Sequence, residues 1–228
     1  MKYLLQQLKV QIPDKIYVKD PESSALGKKI IKHSILLIDT YGFEQFNFKK
    51  LGTEIGSNES SIYRYFENKH KLLLYLTSWY WGWLEYQLVF NTHSITNSKD
   101  KLKRSIEILT RSIKEDSSFS HINEVLLSQI VINEYSKSYS TKKVDVENKA
   151  GYYSIYKRLI VRIKECIELC DDTYPFPMSL ASTIIEGALH QHFLREHFSS
   201  LTDCSQSITP TRYFLDMLER ILNIKFDG

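Results

Sequence analysis

Cysteine is scarce in this chain. It has three in 228 residues, Cys166, Cys170 and Cys204, an odd number without framework spacing. That excludes a disulfide-built scaffold and predicts reduced thiols, as in a cytosolic protein, so the expected location is cytoplasmic. Long hydrophobic runs are also missing. Residues 1–9 hold no continuous apolar stretch long enough for a signal peptide. The most apolar span, residues 72–90, is interrupted by Thr77, Ser78, Gly82, Glu85 and Gln87, which predicts a buried amphipathic helix and no membrane span. Net charge is only +3, so overall charge does not argue for a polyanionic partner. No internal repeat, low-complexity segment or convincing set of alternating strands is visible, and the chain reads as all-α.

Catalytic constellations are absent as well. No Ser/His or Cys/His arrangement has informative spacing. The paired Glu-x-x-His motifs that a helical di-iron carboxylate enzyme needs do not occur. His190, His192 and His197 share one expected helix, but no carboxylate or cysteine with firm ligand spacing joins them. Cys166 and Cys170, four apart in an apolar stripe, read as buried thiols. The expectation is a protein without metal or cofactor that is not an enzyme.

What is present is an uneven charge distribution. Residues 1–72 carry 12 Lys/Arg against 8 Asp/Glu, and the remainder carries 18 against 19. A basic end is the electrostatic footprint of a phosphate-binding module. Residues 1–24 read as a polar arm containing Pro13 and Pro21. Ser23 or Ser24 can cap a helix over residues 25–40 that Gly42 ends. Asn47, Asn58 and Asn68 are N-caps for helices over 48–55, 59–66 and 69–90. Further helices are expected over 101–114, 122–135, 146–169, 178–198 and 210–224. In the 146–169 helix, Tyr156, Ile160, Ile163, Ile167 and Cys170 follow the spacing of a helix packed along a partner. Thr209-Pro210 marks the start of the last one.

Residues 46–73 are the most informative stretch: two short helices joined by a glycine turn, the second with almost no aliphatic core face. Ile62 and Phe66, four apart, can anchor its inner side. Ser60, Ser61, Tyr63, Arg64 and Tyr65 are left as polar or amphipathic groups that can donate to phosphate or reach base edges. In a helix-turn-helix the second helix lies in the major groove with its N-terminal residues at the bases. Two other function classes stay open: a helical interaction module without DNA binding, and a helical metal-dependent enzyme.

The stretch from Ile30 to Leu73 resembles the N-terminal domain of the TetR family of bacterial transcriptional regulators. The resemblance rests on Tyr41-Gly42-Phe43, Leu51, Gly56 in the turn, Ile62-Tyr63-x-Tyr65-Phe66, and Lys69 followed by Leu72. It implies a helix-turn-helix DNA-binding domain over residues 25–72, after the arm of residues 1–24. A larger helical effector-binding and dimerisation domain then covers residues 73–228, with about nine helices in all. By position, Asn47 stands at the phosphate-touching cap, and Ser60, Ser61, Tyr63, Arg64 and Tyr65 on the recognition helix. Lys69 matches a phosphate-holding lysine, with Lys28 and Lys29 as flanking contacts.

The sequence departs from the family pattern at three places. Ser57 and Asn58 replace the usual turn residues. Gly52 stands where alanine is typical, which suits close helix packing. Glu59 puts an acid at the tip of the recognition helix, well placed on the helix dipole but poorly placed beside phosphate. Either it accepts a hydrogen bond from cytosine N4 or it is a surface acid.

The resemblance further implies a homodimer through the last two helices, about 178–198 and 210–224, on a palindromic operator of double-stranded DNA. The small residues Ala181, Gly187 and Ala188 would permit close helix approach there; the other reading is that these faces bury against their own subunit. The family's effector pocket adjoins the 69–90 helix. Its aromatic stripe, Trp79, Tyr80, Trp83 and Tyr86, can bind an unknown small molecule or simply form core. The expected function is a ligand-responsive transcriptional regulator, a repressor.

Overall fold

The computed structural model describes residues 10–113 and 121–226. Among these residues there is no strand and there are ten α-helices. They are α1 Ala25–Gln45, α2 Phe48–Ile55, α3 Glu59–Tyr63, α4 Lys69–Thr92 and α5 Ser98–Thr110. These are followed by α6 Glu124–Tyr139, α7 Val144–Lys149, α8 Ser154–Glu168, α9 Pro177–His197 and α10 Pro210–Ile221. The all-α fold expected from the sequence is the one observed. Residues 1–9 of the expected arm, and the end of the 101–114 helix at Lys114, lie outside the described residues.

The chain divides into two compact units: Met1–Gly82 with Ile113–Ser154, and Trp83–Ser112 with Ile155–Gly228. The boundary falls inside α4.

In the first unit, α1 packs against α2 and α6, and α2 against α3. Helix starts follow local chemistry. Ser24 accepts the Gly27 amide, Asn47 the Lys50 amide, Asn58 the Ser61 amide and Asn68 the Lys71 amide. Each satisfies one of the donors a helix leaves orphaned at its N-terminus. Gly42 breaks α1 at φ +76°, in the left-handed region open to glycine. The amide freed there is not lost, because Phe43 N–H donates to the Glu134 carboxylate of α6. Lys137 then bridges Glu134 and Glu44. The core is built on Ile30, Ile31, Ile35, Leu51, Ile62, Phe66, Leu72 and Tyr75, all essentially solvent-free.

Two expectations need correction. The helix expected over 146–169 is two helices, α7 and α8, because Gly151 adopts φ +88° and turns the chain between them. The arm, where described, is no loose polar tail. Its residues 12–24 form two 3-10 turns, Asp14–Ile16 and Pro21–Ser23. Ile12, Ile16 and Pro21 are buried, and the Lys71 ammonium donates to the Lys15 carbonyl. A sequence reading weighs mean polarity, whereas burial here needs only two isoleucines four residues apart.

In the second unit, α9 and α10 pack on each other and on α5. Gly187 of α9 admits the Phe214 ring of α10: a Cβ at Gly187 would stand 2.9 Å from the Phe214 ring tip. Ala181 and Ala188 are buried in the chain's own core. These three small residues, offered above for a dimer contact, therefore serve packing inside one subunit. In the same unit, Glu85 takes a bidentate pair of hydrogen bonds from Arg158, at 2.7 and 2.6 Å, and a third from Arg162 at 2.8 Å. Burial alone would raise the Glu85 carboxyl, but the two guanidinium groups outweigh it and hold the group below its ordinary value.

Candidate nucleic-acid interface

The second helix of the pair, α3, has only five residues, too few to be stable by itself. Its neighbours fix it. Gly56 ends α2 in the left-handed conformation at φ +65°. The Ser57 amide then returns to the Gly52 carbonyl at 2.9 Å, the closing bond of a Schellman-type turn. Gly52 is needed for that turn, since a Cβ there would lie 2.9 Å from the Ser57 carbonyl oxygen. Ile62 and Phe66 are fully buried and pin the inner face, as their spacing suggests.

The outer face is presented to solvent. Ser60 and Arg64 are exposed, and Tyr63 is 48% exposed. Among the described residues Arg64 pairs with no carboxylate, so its five donors are available. Ser61 is half-buried and gives its hydroxyl to the Asn58 side chain at 2.7 Å. Glu59 accepts the Tyr63 hydroxyl at 3.2 Å, and the Tyr63 ring stands edge-on to Phe48 at 5.1 Å. Desolvation, then the Glu59 carboxylate, holds the Tyr63 phenol above its ordinary value. The acid at the helix tip and the tyrosine one turn on thus form a single pair.

Tyr65 is placed differently from the sequence reading. That reading set it on the groove face; the structure leaves it 3% exposed. Its hydroxyl shares a hydrogen bond with Ser24, the α1 cap, at 2.8 Å. Its carbonyl accepts the Val18 amide at 2.8 Å. Tyr65 is held inward by partners from far along the chain, Ser24 and Val18, which the spacing of an expected helix over 59–66 could not show.

The flanking candidates lie on α1, at the start of α2 and at the start of α4. Asn47 is exposed, with its carbonyl oxygen used as the α2 cap. Lys28 is exposed, and among the described residues its ammonium has no partner. Lys29 instead donates to the Ile55 carbonyl at the end of α2, at 2.7 Å, where a cation suits the helix dipole. Lys69 donates to the Phe43 and Glu44 carbonyls, each at 3.1 Å, so its ammonium is held at one place by two carbonyl groups. Sequence reasoning missed residues 12–24 as a partner of this helix; the only signal was Ile12 and Ile16 four apart.

The aromatic candidates on α4 are core groups in large part. Trp79, Tyr80 and Trp83 are buried, and burial pushes the Tyr80 phenol well up. Tyr86 is half-buried and stacks on Phe90 at 5.8 Å. His192 is buried, with its Nε2 2.9 Å from the Thr110 carbonyl, whereas His190 and His197 are exposed. Among the described residues no group of three or more His, Cys, Asp or Glu side chains is placed to hold a metal ion. None of the described helices is long and apolar enough to cross a membrane.

Residues 30–76 match the family model described as bacterial regulatory proteins, tetR family. No curated protein matches the chain significantly. Among solved structures, the chain is similar to AibR in complex with isovaleryl coenzyme A and operator DNA. That match has TM-score 0.58 and 13% identity and covers 87% of this chain and 100% of that one. It is similar to the fatty acid degradation regulator FadR from Bacillus halodurans, at TM-score 0.57 and 15% identity over 85% and 93% of the two chains. It is equally similar to the superantigen PfiT, at TM-score 0.58 and 17% identity over 89% and 97%. At such identities these likenesses carry the fold and not the activity. Over residues 30–76 this chain carries the N-terminal domain of the TetR family of bacterial regulatory proteins.

Proposed function

We propose that this protein is a ligand-responsive transcriptional regulator, a repressor that binds a palindromic operator as a homodimer. One observation carries the reading. A capped, glycine-turned helix pair buries Ile62 and Phe66 and presents Ser60, Tyr63 and an unpaired Arg64 to solvent. Residues 25–72 act as the DNA-binding domain and residues 73–228 as the effector and dimerisation domain. Ser60, Ser61, Tyr63 and Arg64 face the groove, Asn47, Lys28, Lys29 and Lys69 lie along the backbone phosphates, and Glu59 accepts from cytosine N4. Tyr65 acts from behind the helix. Trp79, Tyr80, Trp83 and Tyr86 are the proposed effector contacts. AibR was solved with an acyl-coenzyme A and FadR is named for fatty acid degradation, so acyl-coenzyme A thioesters are the first effector class to screen. Effector binding acts only through its differential affinity for DNA-competent and incompetent conformations.

The test is selection of bound sequences from random DNA, followed by salt titration and release by candidate thioesters. A two-fold repeat with half-sites about 34 Å apart is expected. Affinity should fall steeply with salt as counterions return to the DNA. Recovery of no enriched sequence, with no salt-dependent shift, would leave the fold serving as an interaction module instead.

A further inference from the structure

Residues 12–24 are fastened to the end of the recognition segment at three points. Val18 N–H donates to the Tyr65 carbonyl, Ser24 shares a hydrogen bond with the Tyr65 hydroxyl, and the Lys19 ammonium lies 5.2 Å from the Tyr65 ring centroid. The segment also lies directly on α1. A Cβ at Gly27 would fall 2.2 Å from the Pro21 carbonyl oxygen, so only glycine admits that backbone. Buried Ile12 and Ile16, and the Lys71 bond to the Lys15 carbonyl, anchor its near end.

The charges of this segment are sorted. Asp14 accepts the Tyr17 hydroxyl, Asp20 accepts the Glu22 amide, and Glu22 meets His121 at 2.7 Å. Every carboxylate is thus turned to an internal partner. Lys19 is exposed and, among the described residues, pairs with no carboxylate. It stands against the ring of Tyr65, next in sequence to the unpaired Arg64, and Ser24, which holds the same tyrosine, opens the helix bearing Lys28. An exposed cation held on a fastened backbone beside the recognition helix suits a phosphodiester oxygen, which would remain solvent-accessible while accepting it.

Resting on the DNA-binding reading above, we propose that residues 12–24 are a second DNA-contacting element, which delivers Lys19 to a backbone phosphate flanking the half-site, with Tyr65 as its positioning residue. The contact is independent of base sequence. The test is a salt titration of binding to the selected operator and to random duplex, comparing wild type with Lys19→Ala, Lys19→Arg and, as a control at an exposed position in the second unit, Lys99→Ala. Lys19→Ala should weaken binding to both DNAs by the same factor and reduce the slope of log affinity against log salt by about one per bound half-site. Lys19→Arg should restore the slope, and Lys99→Ala should keep it. A wild-type slope in Lys19→Ala would overturn this proposal while leaving the regulator reading intact. Absence of salt-dependent binding by the wild type would overturn both.

Discussion

At the scale of single residues, Gly27 and Gly187, which both admit a close neighbour, are not equivalent. Gly27 faces the Pro21 backbone, which cannot rotate away, whereas Gly187 faces the tip of the Phe214 ring. Gly27→Ala should therefore destabilise by about 1–3 kcal/mol, and Gly187→Ala by less, since a ring can tilt; chemical denaturation of both variants orders the two. His192 has a pH signature. Burial lowers its folded-state affinity for a proton, and its bond to the Thr110 carbonyl only partly offsets this. An unfolded imidazole, titrating near pH 6.5, takes up a proton first. Stability should thus fall as pH drops below about 6.5 and level off below the lower folded-state value. Replacing His192 by Gln should flatten that slope between about pH 7.5 and about pH 5.5, measured by denaturation midpoints. A slope unchanged in the variant would assign the acid sensitivity elsewhere.

At the scale of elements, the short recognition helix depends on its ends more than on its own five residues. Asn58 satisfies both the Ser61 amide and the Ser61 hydroxyl. Asn58→Ala should cost about 1 kcal/mol and weaken operator binding beyond that of random DNA, because it loosens the base-facing turn. Equal losses on both DNAs would contradict this. The asparagine caps were legible in the sequence, since a cap acts on amides two or three residues away and needs no tertiary context. So were the Gly42 break, the Gly56 turn and the Ile62–Phe66 anchor. The separation of α7 from α8 was not, because Gly151 sits in a pattern that either a continuous or a broken helix satisfies. Nor was the inward turn of Tyr65, which depends on Ser24, 41 residues away.

At the scale of the whole molecule, the C-terminal helices divide their faces between internal packing and solvent. Ala181, Gly187 and Ala188 are spent on intrachain packing. Tyr213 and Ile221 on α10 and Met178 on α9 remain exposed and are the proposed dimer contacts. Ile221→Glu should lower the solution mass to that of one chain while leaving its helical content unchanged, by sedimentation and circular dichroism. A wild type that is already monomeric would remove the dimeric operator from the proposal. The net charge of +3 says little here; the arrangement matters more. The acids of residues 12–24 each have a partner within the chain, while Arg64, Lys28 and Lys19 are left to solvent.

The sequence by itself determined the helical class, most helix starts, the glycine turn and the residues that pin the recognition helix. These are local matters of caps, φ preference and four-residue spacing. Only the tertiary structure decided that residues 12–24 pack as a strap, that Tyr65 turns inward, and that Glu59 is paired with Tyr63. It also decided that the small residues of α9 are used inside the chain. Each of those outcomes depends on which groups meet after the helices pack, and contact between distant segments leaves no periodicity for a sequence to display.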